Sequence, residues 1–185
     1  MFMLTIQLSP VPELRTARLR LRRLVPTDAP ALLQLRSDER VMRYFDREPM
    51  TTEQQALELI GSTDELIAAN KGVMWGICMP NGAEIVGTIG PWNISAEHHR
   101  AELGYLLHPD LWGQGLMGEA LTEVCRYAFE NLGLHSLEAN VNPDNAASRR
   151  LLEKHGFVQE AYFRENFYYN GQFLDSVIYA RLAPR

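Results

Sequence analysis

The chain has 185 residues, 46% of them hydrophobic and 22% charged, with a formal net charge of −5. That length fits one domain with a sizeable core, residues 1–185, in which 1–16 is an N-terminal extension to which the sequence assigns no structure. No apolar run reaches the length of a membrane span, and the acidic balance argues against general nucleic-acid binding while remaining compatible with a basic protein or amine partner.

Cys78 and Cys125 lie far apart, each in an apolar run, and read as reduced core residues of a cytoplasmic chain. The start, Met1 to Leu8, is apolar but lacks a basic region and breaks at Ser9-Pro10, unlike a signal peptide. Arg18 to Leu24 alternates apolar and basic residues, the period of a half-buried strand. Thr27 and Asp28 offer caps for a helix over Ala29–Ser37. Residues 38–50 read as a short helix plus a loop. Thr51 with Gln54 resembles a capping box for a helix that ends near Asn70. Val73–Met79 and Glu84–Trp92 read as strands joined at Asn81-Gly82, residues 93–98 as a polar loop, and Arg100–Leu107 as the next strand. A helix over about Gly115–Asn131 follows, then a strand at Ser136–Val141. Asn145 caps a helix that ends at Gly156. Phe157–Phe167 and Phe173–Leu182 form a last hairpin around Asn170-Gly171. The middle strands, joined by short loops, are expected to be antiparallel, and the unit at 100–141 a right-handed crossover.

Between the strand ending at Leu107 and the helix lies a glycine-rich turn. A helix that begins there presents N–H groups without intrahelical partners, at the positive end of its dipole, and a phosphate fits such a place. Gly113, Gly115 and Gly118 match G-x-G-x-x-G, with Glu138 downstream as the acid of a dinucleotide fingerprint. Five residues separate strand from first glycine, however. Glu138 falls inside an alternating strand, and too little chain remains for a doubly wound sheet. No Lys-Ser/Thr follows, which excludes a P-loop. The glycines alone leave two readings open: a phosphate cradle, or a tight turn that needs positive φ.

Leu106-Leu-His-Pro-Asp-Leu-Trp-Gly-Gln-Gly-Leu-Met117, Glu119-Ala120, Asn145-x-x-Ser148 and Glu153-Lys-His-Gly-Phe157 together resemble the GNAT (Gcn5-related N-acetyltransferase) family. Within it they are similar to the RimJ/RimL-type, ribosomal-protein-alanine acetyltransferase branch. The resemblance runs from Arg18 to the last strand. It implies an α/β (α+β) GNAT fold, with a mixed, mostly antiparallel, splayed sheet flanked by helices. It implies acetyl-CoA as cosubstrate, with the backbone of Leu106 and Leu107 beside the pantetheine and the N–H groups of Gly113, Gln114, Gly115, Leu116, Met117 and Gly118 around the pyrophosphate. Asn145 touches the CoA arm, and the Leu107 N–H faces the thioester oxygen. Trp112 stands where the family usually has Gln or Arg, and Leu152 where many members have an acidic tyrosine.

Acyl transfer to an amine needs a neutral amine, a donor for the carbonyl oxygen and a tolerable leaving group. Glu102 is the candidate base, acting through water, or an exposed strand carboxylate with no task. Ser148, one helical turn after Asn145, is the candidate acid implied by the branch, or a serine bonded to its own backbone. No metal site is expected: His98-His99 lacks companions at ligand spacing. Trp75, Trp92, Tyr105 and Phe129 fit core or site wall. Tyr162, Phe163, Phe167, Tyr168 and Tyr169 border the acceptor cleft implied by the branch, with Tyr44 and Phe45 opposite. The implied acceptor is the α-amine of a protein N-terminus, such as a ribosomal protein, with no direct nucleic-acid or membrane partner and the chain acting as monomer or homodimer. A small amine (polyamine, amino acid or antibiotic) is the alternative acceptor. A CoA-binding module without turnover is the alternative from another class.

Overall fold

A computed structural model describes residues 4–184. In chain order the elements are β1 (Leu14–Arg15), β2 (Arg20–Arg23), α1 (Ala29–Ser37), α2 (Glu39–Met42), α3 (Glu53–Ala68), β3 (Trp75–Cys78), β4 (Ile85–Ser95) and β5 (Arg100–Leu107). They continue with α4 (Leu116–Glu130), β6 (Ser136–Val141), α5 (Ala146–Lys154), β7 (Val158–Tyr169) and β8 (Gln172–Leu182). The strands make one sheet in the order β1-β2-β3-β4-β5-β6-β8-β7. Every neighbouring pair is antiparallel except β5–β6. β5 and β6 run parallel because the link between them carries α4, which crosses one face of the sheet and returns the chain in the same direction.

Each face of the sheet is covered by helices whose apolar stripes match it. On one face α4 buries Leu116, Ala120, Leu121, Val124, Cys125 and Ala128 against Trp75, Ile89, Leu103 and Leu137. That spacing is a helical stripe. Trp75 lies at the centre, edge-on to Tyr127 with ring centroids 5.4 Å apart. On the other face α1 and α3 bury Leu32, Leu35, Ala56 and Ile60 with Cys78, Ile85 and Leu106. Both cysteines are free and buried.

Several boundaries differ from the sequence reading. The capping box of α3 is Thr52 with Gln55, one residue later than expected, because the Gln55 side-chain oxygen reaches the N–H groups of both Thr51 (2.8 Å) and Thr52 (3.1 Å). Asp28 does not cap α1 through its side chain. Its carboxylate accepts from both terminal nitrogens of Arg22 at 2.7 Å, a stronger, charge-assisted pairing. β4 runs on to Ser95, through a bulge between Trp92 and Ser95 where a loop was expected. The described part of the extension packs onto the body: Ile6 and Leu8 are buried, Leu8 N–H donates to Asn70 Oδ1 (2.9 Å) and Trp75 Nε1 donates to the Pro12 carbonyl (2.8 Å).

The feature that positions the site is a parting of the sheet. β5 and β6 pair only over Arg100–Glu102 and Ser136–Glu138. Beyond that, β5 stays on β4 as far as Leu107, and β6 stays on β8 as far as Val141. A gap opens between their C-terminal halves.

Candidate active site

The gap is lined by β5 backbone that the sheet leaves unpaired. His108 N–H donates to the Val86 carbonyl (2.8 Å) around the Gly87–Leu107 pair. That bond marks a non-hydrogen-bonded pair, so the N–H and C=O of Leu107 point away from β4 and into the gap. The backbone groups of Leu106, one residue earlier, point at Thr88 of β4. The Leu107 carbonyl accepts from Trp112 Nε1 at 2.8 Å. Trp112 therefore ties the glycine turn to the end of β5, which leaves the Leu107 N–H as the donor turned into the gap.

The glycine turn is exposed from Trp112 to Gly115, and Gly113 (φ 74°) and Gly115 (φ 77°) are both left-handed. A Cβ on Gly113 would meet nothing within 4 Å, so backbone conformation rather than crowding requires glycine there. Gly115 is the N-cap of α4. The free N–H groups of the following turn, with the helix dipole, make an anion site. Leu116 and Met117 turn their side chains to the core. Gly118 instead lets α5's end approach: a Cβ there would sit 2.5 Å from His155 Nε2.

Arg18 is a site residue that the sequence reading missed. Its Nη1 donates to the Gln114 carbonyl (3.1 Å), and its Nη2 lies 3.6 Å from where a Cβ on Gly115 would be. Glu119 holds it there, accepting from Arg18 Nε (2.8 Å), Arg18 N–H (2.7 Å) and the Thr16 hydroxyl (2.5 Å). Burial works against the Glu119 anion, but these bonds keep its carboxyl below the usual range. A cation is thus fixed beside the helix N-terminus. Nothing local in the sequence signals this, because about a hundred residues separate Arg18 from the turn.

α5 brings the second group. Asn145 Oδ1 accepts from Ser148 N–H (3.0 Å), which caps the helix and fixes the serine. Ser148 Oγ lies 2.6 Å from the Tyr105 hydroxyl. Burial pushes that phenol up to about 12, with the Ser148 contact opposing. At neutral pH Tyr105 is therefore a protonated hydrogen-bonding partner of the serine. Sequence inspection placed Tyr105 in the core or site wall; the contact with α5 was not visible in the chain.

Glu102 lies on the other face of β5, since residues 102 and 105 alternate. Its Oε1 accepts from Asn93 Nδ2 (2.7 Å), and Asn93 sits at the β4 bulge with φ 50°. Trp92 is its cross-strand neighbour, with the indole nitrogen 3.7 Å from a Cβ position on Gly104. Ser148 and Glu102 thus flank β5 from opposite sides. Glu138 is paired with Arg100 in mid-strand, away from the glycine turn.

The aromatic hairpin projects past the end of β6, with Tyr162, Phe163, Phe167, Tyr168 and Phe173 exposed. A bulge between Phe163 and Phe167 bends β7. It is held by Asp175, which accepts from the Tyr162 hydroxyl (2.5 Å) and Glu165 N–H (2.8 Å). The Tyr169 hydroxyl donates to Glu48 Oε1 (3.0 Å), which joins the hairpin tip to the loop between α2 and α3. Among the described residues, no group of three or more His, Cys, Asp or Glu could hold a metal, and no helix is long and apolar enough to cross a membrane.

A parted sheet, a glycine turn at a helix N-terminus and a capped helix beside the gap define the architecture of a GNAT acetyltransferase. The Acetyltransferase (GNAT) domain family matches residues 18–158, and the chain belongs to that family. It is 38% identical over 174 residues to the uncharacterized N-acetyltransferase YoaA of Bacillus subtilis (strain 168), across 94% of this chain and 98% of that protein. It is 32% identical over 126 residues to the ribosomal protein uS5–alanine N-acetyltransferase of Escherichia coli (strain K12), across 68% and 65% of the two chains. The solved ribosomal-protein α-N-acetyltransferase RimL in complex with coenzyme A shares the fold. Its TM-score is 0.82 at 21% identity, over 92% of this chain and 98% of that one.

Proposed function

We propose that this N-acetyltransferase uses acetyl-CoA to acetylate a protein N-terminal α-amine, of the ribosomal-protein type, by direct attack in a ternary complex. The observation that carries the reading is the Leu107 N–H turned into the gap, a few residues from an exposed glycine turn that Arg18 makes more cationic. The similarity to a uS5–alanine enzyme supports the acceptor class.

Acetyl-CoA supplies the acetyl group as a thioester. The turn at 113–118 and Arg18 hold its phosphates, and the side chain of Asn145 borders its arm. Leu107 N–H donates to the carbonyl oxygen as negative charge develops there. Glu102, through water, takes a proton from the acceptor ammonium, and the neutral amine then attacks the thioester carbon. Once the C–N bond has formed, Ser148 gives a proton to the departing sulfur as the C–S bond breaks, and the second proton shed by the new amide nitrogen restores the serine hydroxyl.

Calorimetry with CoA tests the reading. Gly115→Val forces a β-branched residue into positive φ and fills the anion site, so CoA affinity falls at least about tenfold. Glu102→Gln leaves CoA affinity at the wild-type value and lowers thiol release. Equal CoA affinity for Gly115→Val and wild type would overturn the assignment.

A further inference from the structure

Arg36, at the C-terminal end of α1, is 5% exposed, and its Nε is buried with no hydrogen-bond partner. A guanidinium carries five donors, and burying it unpaired is costly. Its surroundings supply a ring and another cation. The Phe45 ring lies 5.6 Å from the guanidinium carbon, which gives attraction but accepts no hydrogen bond in its plane. Burial, and then the neighbouring Arg47, pull the Arg36 pKa down to about 10. No carboxylate among the described residues pairs with it, and two acids near it in sequence are bonded to other groups. Asp38 accepts from Arg40 Nη2 (2.6 Å) and from Arg40 N–H as the cap of α2. Glu48 accepts from Tyr169. Burial holds the Asp46 carboxyl above its ordinary range, with Arg47 opposing. Arg22 shows what a satisfied arginine in this fold looks like, with both terminal nitrogens on Asp28.

The place matters as much as the vacancy in pairing. Met50 N–H donates to the Arg36 carbonyl (2.9 Å), which fastens the loop after α2 onto α1. Phe45, on that loop, shares its apolar cluster with Leu106, the neighbour of Leu107. The same loop meets the β7–β8 hairpin through Glu48. Arg36 therefore stands on the side of the sheet that carries Glu102, and exposed Arg47 stands further out on the same loop.

We propose that Arg36, assisted by Arg47, receives a carboxylate of the amine acceptor, so that the preferred acceptors carry an acidic group close to the amine that is acetylated. The inference rests on the acetyltransferase reading and narrows its acceptor class. An acidic side chain near a peptide N-terminus and the carboxylate of a free amino acid present the same chemistry; a polyamine does not.

The test compares matched acceptors in a thiol-release assay with acetyl-CoA: Ser-Glu-Ala amide against Ser-Gln-Ala amide, serine against serinamide, and spermidine. Wild type should show a KM about tenfold lower for the acidic member of at least one pair, as expected for one charge-assisted pairing, and the pair that responds identifies the source. Arg36→Met and Arg47→Met should each reduce that preference to about twofold or less without changing CoA affinity by calorimetry. Arg47→Met lies on an exposed residue and keeps the test open should Arg36→Met fold poorly. Equal KM within both pairs, a preference for spermidine, or a preference that survives both substitutions would overturn the proposal. If CoA binds but no amine releases thiol, the acetyltransferase reading fails. Calorimetric binding of the peptide pair to the CoA complex then decides this one, and equal affinities would end it.

Discussion

The pair formed by Ser148 and Tyr105 shows how single residues acquire roles here. Leu152 removes the tyrosine that many family members place on this helix, yet a tyrosine hydroxyl reaches the helix from β5 at 2.6 Å. Ser148→Ala should lower kcat by about a hundredfold, the lower end for a general acid, with little change in the KM for acetyl-CoA. Stopped thiol release at saturating substrates measures this. Burial also makes Tyr105 a reporter. The unfolded phenol ionises near 10, and burial pushes the folded one up to about 12. Because the folded pKa is raised, the contribution to stability is fully present below pH 10 and is lost as pH rises towards 12. Urea unfolding from pH 9 to 11 should show this decline in wild type and less of it in Tyr105→Phe. A decline of the same steepness in both would exclude Tyr105 as its source.

At the scale of elements, glycines set how closely strands and helices approach. A Cβ on Gly90 would lie inside contact distance of the Val73 carbonyl oxygen, a backbone atom that no rotamer change can move. Gly90→Ala should therefore destabilise the fold by about 3 kcal/mol, at the upper end of overpacking costs, measured as a lower urea midpoint at unchanged slope. Helix ends tell a related story. Asn145 was legible as a cap because Asn before an apolar-periodic segment has a local partner three residues on. Asp28 looked equally good, but its carboxylate turns back to Arg22 of β2 and to the Val25 N–H (2.9 Å) rather than forward to the first turn of α1. For α3, two adjacent threonines left the register open until Gln55 chose it.

At the scale of the molecule, the sheet is held between two helical layers, and the gap forms where β5 and β6 follow different neighbours. The layer under α4 should dominate stability. Leu121 is fully buried there, and Leu121→Ala should cost about 2–5 kcal/mol through lost burial and a cavity. Chemical denaturation measures it, and a loss below about 1 kcal/mol would contradict the packing described. On the α4 face, α4 brings its N-terminus and α5 its capped serine to the gap, while β6 stays paired with β8 rather than with the end of β5.

Local chemistry made much of this protein readable from its residues. Period-2 and helical spacings located most strands and helices, and among the middle strands the short loops marked the antiparallel pairs and the helical link the parallel one. The glycine spacing with its preceding gap pointed to a phosphate turn that is not a dinucleotide fingerprint, and the ordered motifs pointed to the GNAT family. What the chain could not display were contacts between residues far apart in sequence. Tertiary structure alone brought Arg18 over Gly115, Tyr105 to Ser148 and Trp112 to the Leu107 carbonyl, and it alone left Arg36 buried without an acid. The reason is that periodicity and capping are fixed by neighbours within a few residues. A hydrogen bond across the sheet depends on register, twist and helix placement, which are set only when the whole chain packs.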